Sequence, residues 1–205
     1  MTVPYESTGR AKQKGRTRDA LISATRELLA QGITPTMEGA AAAAAISRTT
    51  AYRYFPNLRA LLVAAYPHAH EQSLLGSAPP SDPIARLQIV ADNHTRRILE
   101  YEPEMRAVLR LSLEDDSTDG PGLPMHRGQR IVWIEDALAP LTSQMTADEL
   151  RLLVYGIGAT LGIEAFVWLT DIARLSREDA AETMRSNASR LLRSAIAEDG
   201  APNGR

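Results

Sequence analysis

The chain has 205 residues, 44% hydrophobic and 23% charged, an ordinary globular composition with room for one fair-sized domain or a small head on a larger body; with no cysteine, disulfides and cysteine-held metals are excluded. No apolar run reaches membrane-spanning length and no signal-peptide pattern opens the chain, so a cytoplasmic location with no membrane partner is expected. The net charge of −2 conceals a polarity, because residues 1–70 hold nine Lys/Arg against four Asp/Glu and the remainder fourteen against twenty-one, the balance of a nucleic-acid-binding head on an acidic body.

Residues 1–14 lack apolar periodicity and contain Pro4 and Gly9, which predicts a flexible basic arm over 1–15. A first helix is expected from Arg16 to Gln31, with Ala20, Leu21, Ala24, Leu28 and Leu29 inward and Gly32 as its stop. Thr36 to Leu62 then reads as a short helix, a tight turn, a second short helix and the start of a longer one. Thr36 is a good N-cap, Glu38 suits the positive end of its helix, and the run Ala40 to Ala45 has high helix propensity. Ser47 caps the second short helix, and Pro56 and Asn57 close it. A helix of small residues lets another cross it closely, and a helix crowded with hydrogen-bonding side chains suits a DNA groove. Ile46, Ala51 and Phe55 form its expected inward stripe. Arg48, Thr49, Thr50, Arg53 and Tyr54 face outward, with Arg48 and Thr49 as base readers. Tyr52 fits core packing as well as DNA contact.

The fourth helix is expected from Asn57 to Leu75, with Leu61, Leu62, Ala65 and Leu74 inward and a kink or break at Pro67. Gly76 to Pro83 reads as a linker. Helices follow over Asp82–Tyr101, from Pro103 through Met105, Val108, Leu109, Leu111 and Leu113, and over Arg127–Leu138, with a loop at Asp115–Pro124. Thr146 and Glu149 form a capping box for a long apolar helix, Leu150–Ile172. Ser176 and Asp179 cap the last helix, which runs to about Ala197, and residues 199–205 fray.

The second half offers polar groups on apolar helices. Glu164 and Asp171 are expected on one face of the long helix, and Arg110 sits among leucines. Buried charges need partners, so an Arg110–Glu164 or Arg110–Asp171 pair is one reading and a ligand's counter-charge the other. The candidate ligand-binding residues are His94, Tyr101, Met105, Arg110, Trp133, Tyr155, Glu164 and Trp168. His68 and His70 are poorly spaced for chelation, so no metal and no cofactor are expected. No nucleophile–base pairing or phosphate loop marks a catalytic residue.

The stretch Thr36, Glu38, Ala40-Ala41, Ala44-Ala45-Ile46-Ser47-Arg48, Thr50, Tyr52-Arg53-Tyr54-Phe55-Pro56, Leu61-Leu62 resembles the DNA-binding domain of the TetR family of bacterial transcriptional regulators. The resemblance implies an all-α fold: an N-terminal three-helix helix-turn-helix head over 16–62 and a C-terminal helical ligand-binding and dimerisation body over 63–198. It implies double-stranded DNA with a palindromic operator, a homodimer, and release by a small-molecule effector, with repression the commoner behaviour. Thr36, Ser47, Arg48, Thr49, Thr50, Tyr52, Arg53 and Tyr54 would face DNA, and Lys12, Lys14 and Arg16 would add phosphate or minor-groove contacts. The last two helices would form a four-helix dimer bundle through Gly158, Gly162, Leu161, Phe166, Leu169, Met184 and Leu191. Three positions depart from the family pattern: Ala40 for isoleucine, Ala45 for glycine, and Leu58 for lysine. Asn57 or Arg59 would then have to supply the phosphate contact. A helical protein-interaction module with weakened DNA binding and an enzyme with a helical pocket are the alternative readings.

Overall fold

The computed structural model describes the backbone of residues 5–65, 71–113 and 129–199. Pro67, His68, His70, the 115–124 loop and residues 200–205 lie outside the described residues, as do the side chains of Lys12 and Leu111. All regular structure among the described residues is helical. By internal contact the chain divides into two compact units, Met1–Ala69 with Pro103–Met125, and His70–Glu102 with His126–Arg205.

In the first unit, α1 spans Tyr5–Ala30, α2 Met37–Ala43, α3 Arg48–Tyr54 and α4 Leu58–Ala65, and α6, Glu102–Leu113, belongs to it from Pro103 onward. The first helix therefore starts some way before the expected Arg16. Helix formers such as Ala11, Lys12, Gln13 and Lys14 outweigh Gly9 and Gly15. Leu21, Ile22, Met37, Ala40, Ala41, Ala51, Phe55 and Leu61 form one core. The fully buried alanines of α2 are what let α1 and α3 approach it. The fourth helix is shorter than expected. It is described over Leu58–Ala65 and does not reach Leu75, and Leu74, though buried as expected, lies in a non-helical stretch.

In the second unit, α5 spans Pro83–Glu100, α7 Gln129–Leu138, α8 Ala147–Thr160, α9 Ile163–Val167, and α10 Arg177–Asp199. Asp82 caps α5 by accepting from the backbone of Ile84 and Ala85, with Pro83 at the first helical position. Thr146 and Glu149 cap α8 reciprocally, and Ser176 accepts from Asp179 N at 3.0 Å before α10. The expected continuous helix Leu150–Ile172 is instead broken. α8 stops at Thr160, Gly162 is extended at φ −87° and ψ 165°, and α9 passes into a wider π-turn over Trp168–Ile172. The two segments are bent by 41°, and no single described helix is long and apolar enough to cross a membrane.

Candidate functional site

The second short helix of the head is set by its caps. Ser47 Oγ accepts from Thr50 N at 3.2 Å and donates to Thr50 Oγ1 at 2.9 Å. Thr36 caps α2 by accepting from Gly39 N at 3.0 Å. Between the helices the chain turns through Ala45 at φ 53°, a left-handed conformation taken without glycine. Ile46 N reaches back to Ala41 O and Ala45 N to Ala42 O, the two bonds of a Schellman ending, so the turn keeps its hydrogen bonds despite the residue.

This geometry sorts α3 into two faces. Ala51 and Phe55 are buried, Ile46 packs beside them, and the Arg18 guanidinium lies 5.4 Å from the Phe55 ring. Arg48, Thr49, Tyr52 and Arg53 are exposed; Thr50 and Tyr54 are half-buried, with Tyr54 against the core. Tyr52 is 40% exposed, so packing between helices is not its role. Thr36, Ser47, Lys14 and Arg16 are also exposed. The expected substitutes for a lysine at position 58 are not available. Arg59 is buried, and Asn57 Oδ1 accepts from Ala60 N at 2.8 Å as the cap of α4. Leu58 itself packs against the core.

The ligand candidates separate. Tyr155 and Trp168 are more than half exposed on α8 and the π-turn. Met105 and Arg110 belong to the first unit, where Arg110 Nη1 lies 3.4 Å from Thr34 Oγ1. Tyr101 is the half-buried C-cap of α5. His94, Trp133 and Glu164 do come together, in the second unit, with Arg97, Arg130 and Glu71 that the sequence did not single out. His94 is 7% exposed and its ring centroid is 5.5 Å from that of Trp133. Arg97 lies 5.4 Å from the Trp133 ring and pairs through Nη2 with the Glu71 carboxylate. Trp133 Nε1 donates to Glu71 O at 2.7 Å.

Arg97 Nη1 has no hydrogen-bond partner among the described residues, and the polar neighbour of the buried His94 ring is the Leu161 backbone. Buried polar atoms of this kind are costly unless something meets them. Burial, then the charges of Arg130 and Arg97, push the His94 pKa down to about 3, against smaller opposing effects of Glu164 and of a backbone hydrogen bond at Leu161. The imidazole is therefore neutral, with one donor and one acceptor. Glu164 pairs with Arg130 at 2.5 Å, not with Arg110. Burial pushes the Glu164 carboxyl up, but the Arg130 hydrogen bond and charge prevail and hold it below the usual carboxylate range.

The dimer candidates are mostly interior. Leu161, Phe166 and Met184 are fully buried within the subunit, and Gly158 packs against α7, with Ile134 Cδ1 3.7 Å from where a Cβ would stand. Gly162 and Leu169 are also buried, and Leu191 is partly exposed. The large apolar side chains exposed on these helices and the link before α10 are Leu152, Tyr155, Trp168, Ile172, Leu175 and Leu191.

Residues 21–65 match the family described as bacterial regulatory proteins, tetR family. The HTH-type transcriptional repressor LfrR of Mycolicibacterium smegmatis is 28% identical over 162 residues, covering 65% of this chain and 80% of that protein. The crystal structure of a TetR transcriptional regulator from Rhodococcus sp. RHA1 shares the fold, with a TM-score of 0.55 at 21% identity over 88% of this chain and 97% of that one. The capped helix pair and the two-faced α3 lie within the residues that match, so the chain carries a tetR-family DNA-binding segment and is similar to TetR transcriptional regulators.

Proposed function

We propose that the protein is a homodimeric repressor that binds a palindromic operator through α3 and leaves it when a small-molecule effector binds the helical body. The repressor LfrR supports the sign of regulation. The observation that carries the DNA reading is the division of α3, with Ala51 and Phe55 inward and Arg48, Thr49, Tyr52 and Arg53 outward. One such helix reads too few base pairs to be selective, and a two-fold dimer doubles the site with half-sites about one helical turn apart. The dimer face that fits is the exposed apolar surface of α8 to α10, not the interior residues of those helices. We place the head over 16–62 and the body over 63–198.

The effector centre that fits best is the cluster of His94, Trp133, Arg97 and the Arg130–Glu164 pair. Arg97 Nη1 and the neutral His94 ring supply polar contacts and the indole an apolar face. Release is a population shift, set by the effector's difference in affinity between the DNA-binding state and the other. Operator binding by Arg48→Ala and Tyr54→Ala variants tests the reading. Loss of binding supports it, and unchanged binding by both refutes it. The packing of half-buried Leu58 against the core and the burial of Arg59 favour one other reading, an interaction module with weakened DNA binding. Salt separates the two, because binding through phosphates weakens steeply as salt rises.

A further inference from the structure

In the sequence Glu38 simply suits the positive end of α2. In the structure its carboxylate meets the Arg48 guanidinium across the turn, Oε1 to Nε at 2.8 Å. The same guanidinium carbon lies 5.6 Å from the centroid of the Tyr52 ring, one turn further along α3. The side chains of the ion pair are 68% and 50% exposed.

So exposed a pair adds little to stability, and α2 and α3 are already joined through Ala40, Ala41, Ala51 and Phe55. The consequence of the pair is therefore orientation. An arginine left to wander loses side-chain freedom when it reaches a base, and one already held loses less. Glu38 meets Arg48 from the Nε side, and the two terminal nitrogens are the end that can pair with guanine O6 and N7. A carboxylate on this face also repels phosphate and weakens binding to DNA in general. A group that lowers general affinity while orienting a base reader acts on specificity.

We infer that Glu38 is a positioning residue: with the Tyr52 ring it holds Arg48 for one guanine in each half-site, and so sets base preference rather than affinity. The inference rests on α3 being the DNA-reading helix.

The test is selection of random duplex DNA by the full chain, as wild type, Glu38→Gln, Glu38→Ala, Arg48→Ala and the Glu38→Ala/Arg48→Ala double variant. The wild-type half-site should contain a guanine that Arg48→Ala no longer selects. Both Glu38 variants should keep the rest of the half-site, select that guanine about tenfold less strongly, and bind unrelated duplex more tightly. The double variant should lose no preference beyond that of Arg48→Ala. Equal melting temperatures establish that each variant is folded, as expected at exposed positions. Undiminished guanine preference in both Glu38 variants, or in Arg48→Ala, overturns the inference and leaves the DNA reading standing. If the wild type enriches no sequence, the DNA reading fails and the inference falls with it.

Discussion

Arg130 and Glu164 meet over the bare Cα of Gly162, with Nη2 2.5 Å from Oε1 and Nη1 3.3 Å from Oε2. A Cβ at 162 would stand 1.9 Å from Arg130 Nη1 and 2.2 Å from Glu164 Oε2. Both atoms end flexible side chains, so a methyl group there displaces the pair rather than the backbone. The Gly162 backbone is one that alanine can adopt. Gly162→Ala should therefore fold, lose the ion pair, and lose about 1 kcal/mol for alanine at the cap of α9. Urea unfolding measures the loss, and the carboxyl resonance of Glu164 should report titration closer to the ordinary range.

The buried His94 makes stability depend on pH with a definite sign. Its pKa falls from 6.5 to about 3 on folding, so between those values the unfolded chain holds a proton that the folded chain does not. Stability from this group is complete above the unfolded value and declines as pH falls towards the folded one, by up to about 1.4 kcal/mol per pH unit. His94→Phe removes the titration and should flatten that limb of the stability curve. Urea midpoints across the window for both proteins measure the difference.

Ala45 takes the left-handed conformation that glycine takes without strain. Ala45→Gly should raise stability by about 1 kcal/mol, the relief of strain exceeding the added freedom of the unfolded chain. Thermal melting of the two proteins checks it. A bulkier replacement such as Ala45→Val should lower the melting temperature.

The exposed Leu152 and Trp168 belong to the surface assigned to self-association. Leu152→Glu with Trp168→Glu places charge there without touching the buried core. Sedimentation velocity should then find a monomer for this variant and a dimer for the wild type. Operator affinity should fall with it, because a single α3 reads too little DNA.

The head was legible because short capped helices write their signals locally. Thr36, Ser47 and the alanine run mark α2 and α3, and Ala51 and Phe55 fall on the inward face as their spacing implies. The start of α1 was not legible, since residues 5–15 carry no apolar period and include Gly9 and Gly15. The break at Gly162 was hidden because an apolar run with a glycine reads as one helix. Which arginine pairs with Glu164 is decided by tertiary packing, so the sequence favoured Arg110 where the fold supplies Arg130. The dimer candidates failed for a related reason. Apolar spacing identifies a helix's hydrophobic sides but not which of them the subunit covers itself. Tyr155 and Trp168, aromatic residues with a polar tip, were the available signal for the side left outside.

The central claim is that this chain reads DNA as a two-fold dimer. The most direct measurement is selection from random duplex DNA by the purified wild-type protein, repeated as salt is raised. The account predicts recovery of a palindrome whose half-sites lie about one helical turn apart, with binding that weakens steeply with salt. Recovery of nothing above background, or binding indifferent to salt, would contradict it.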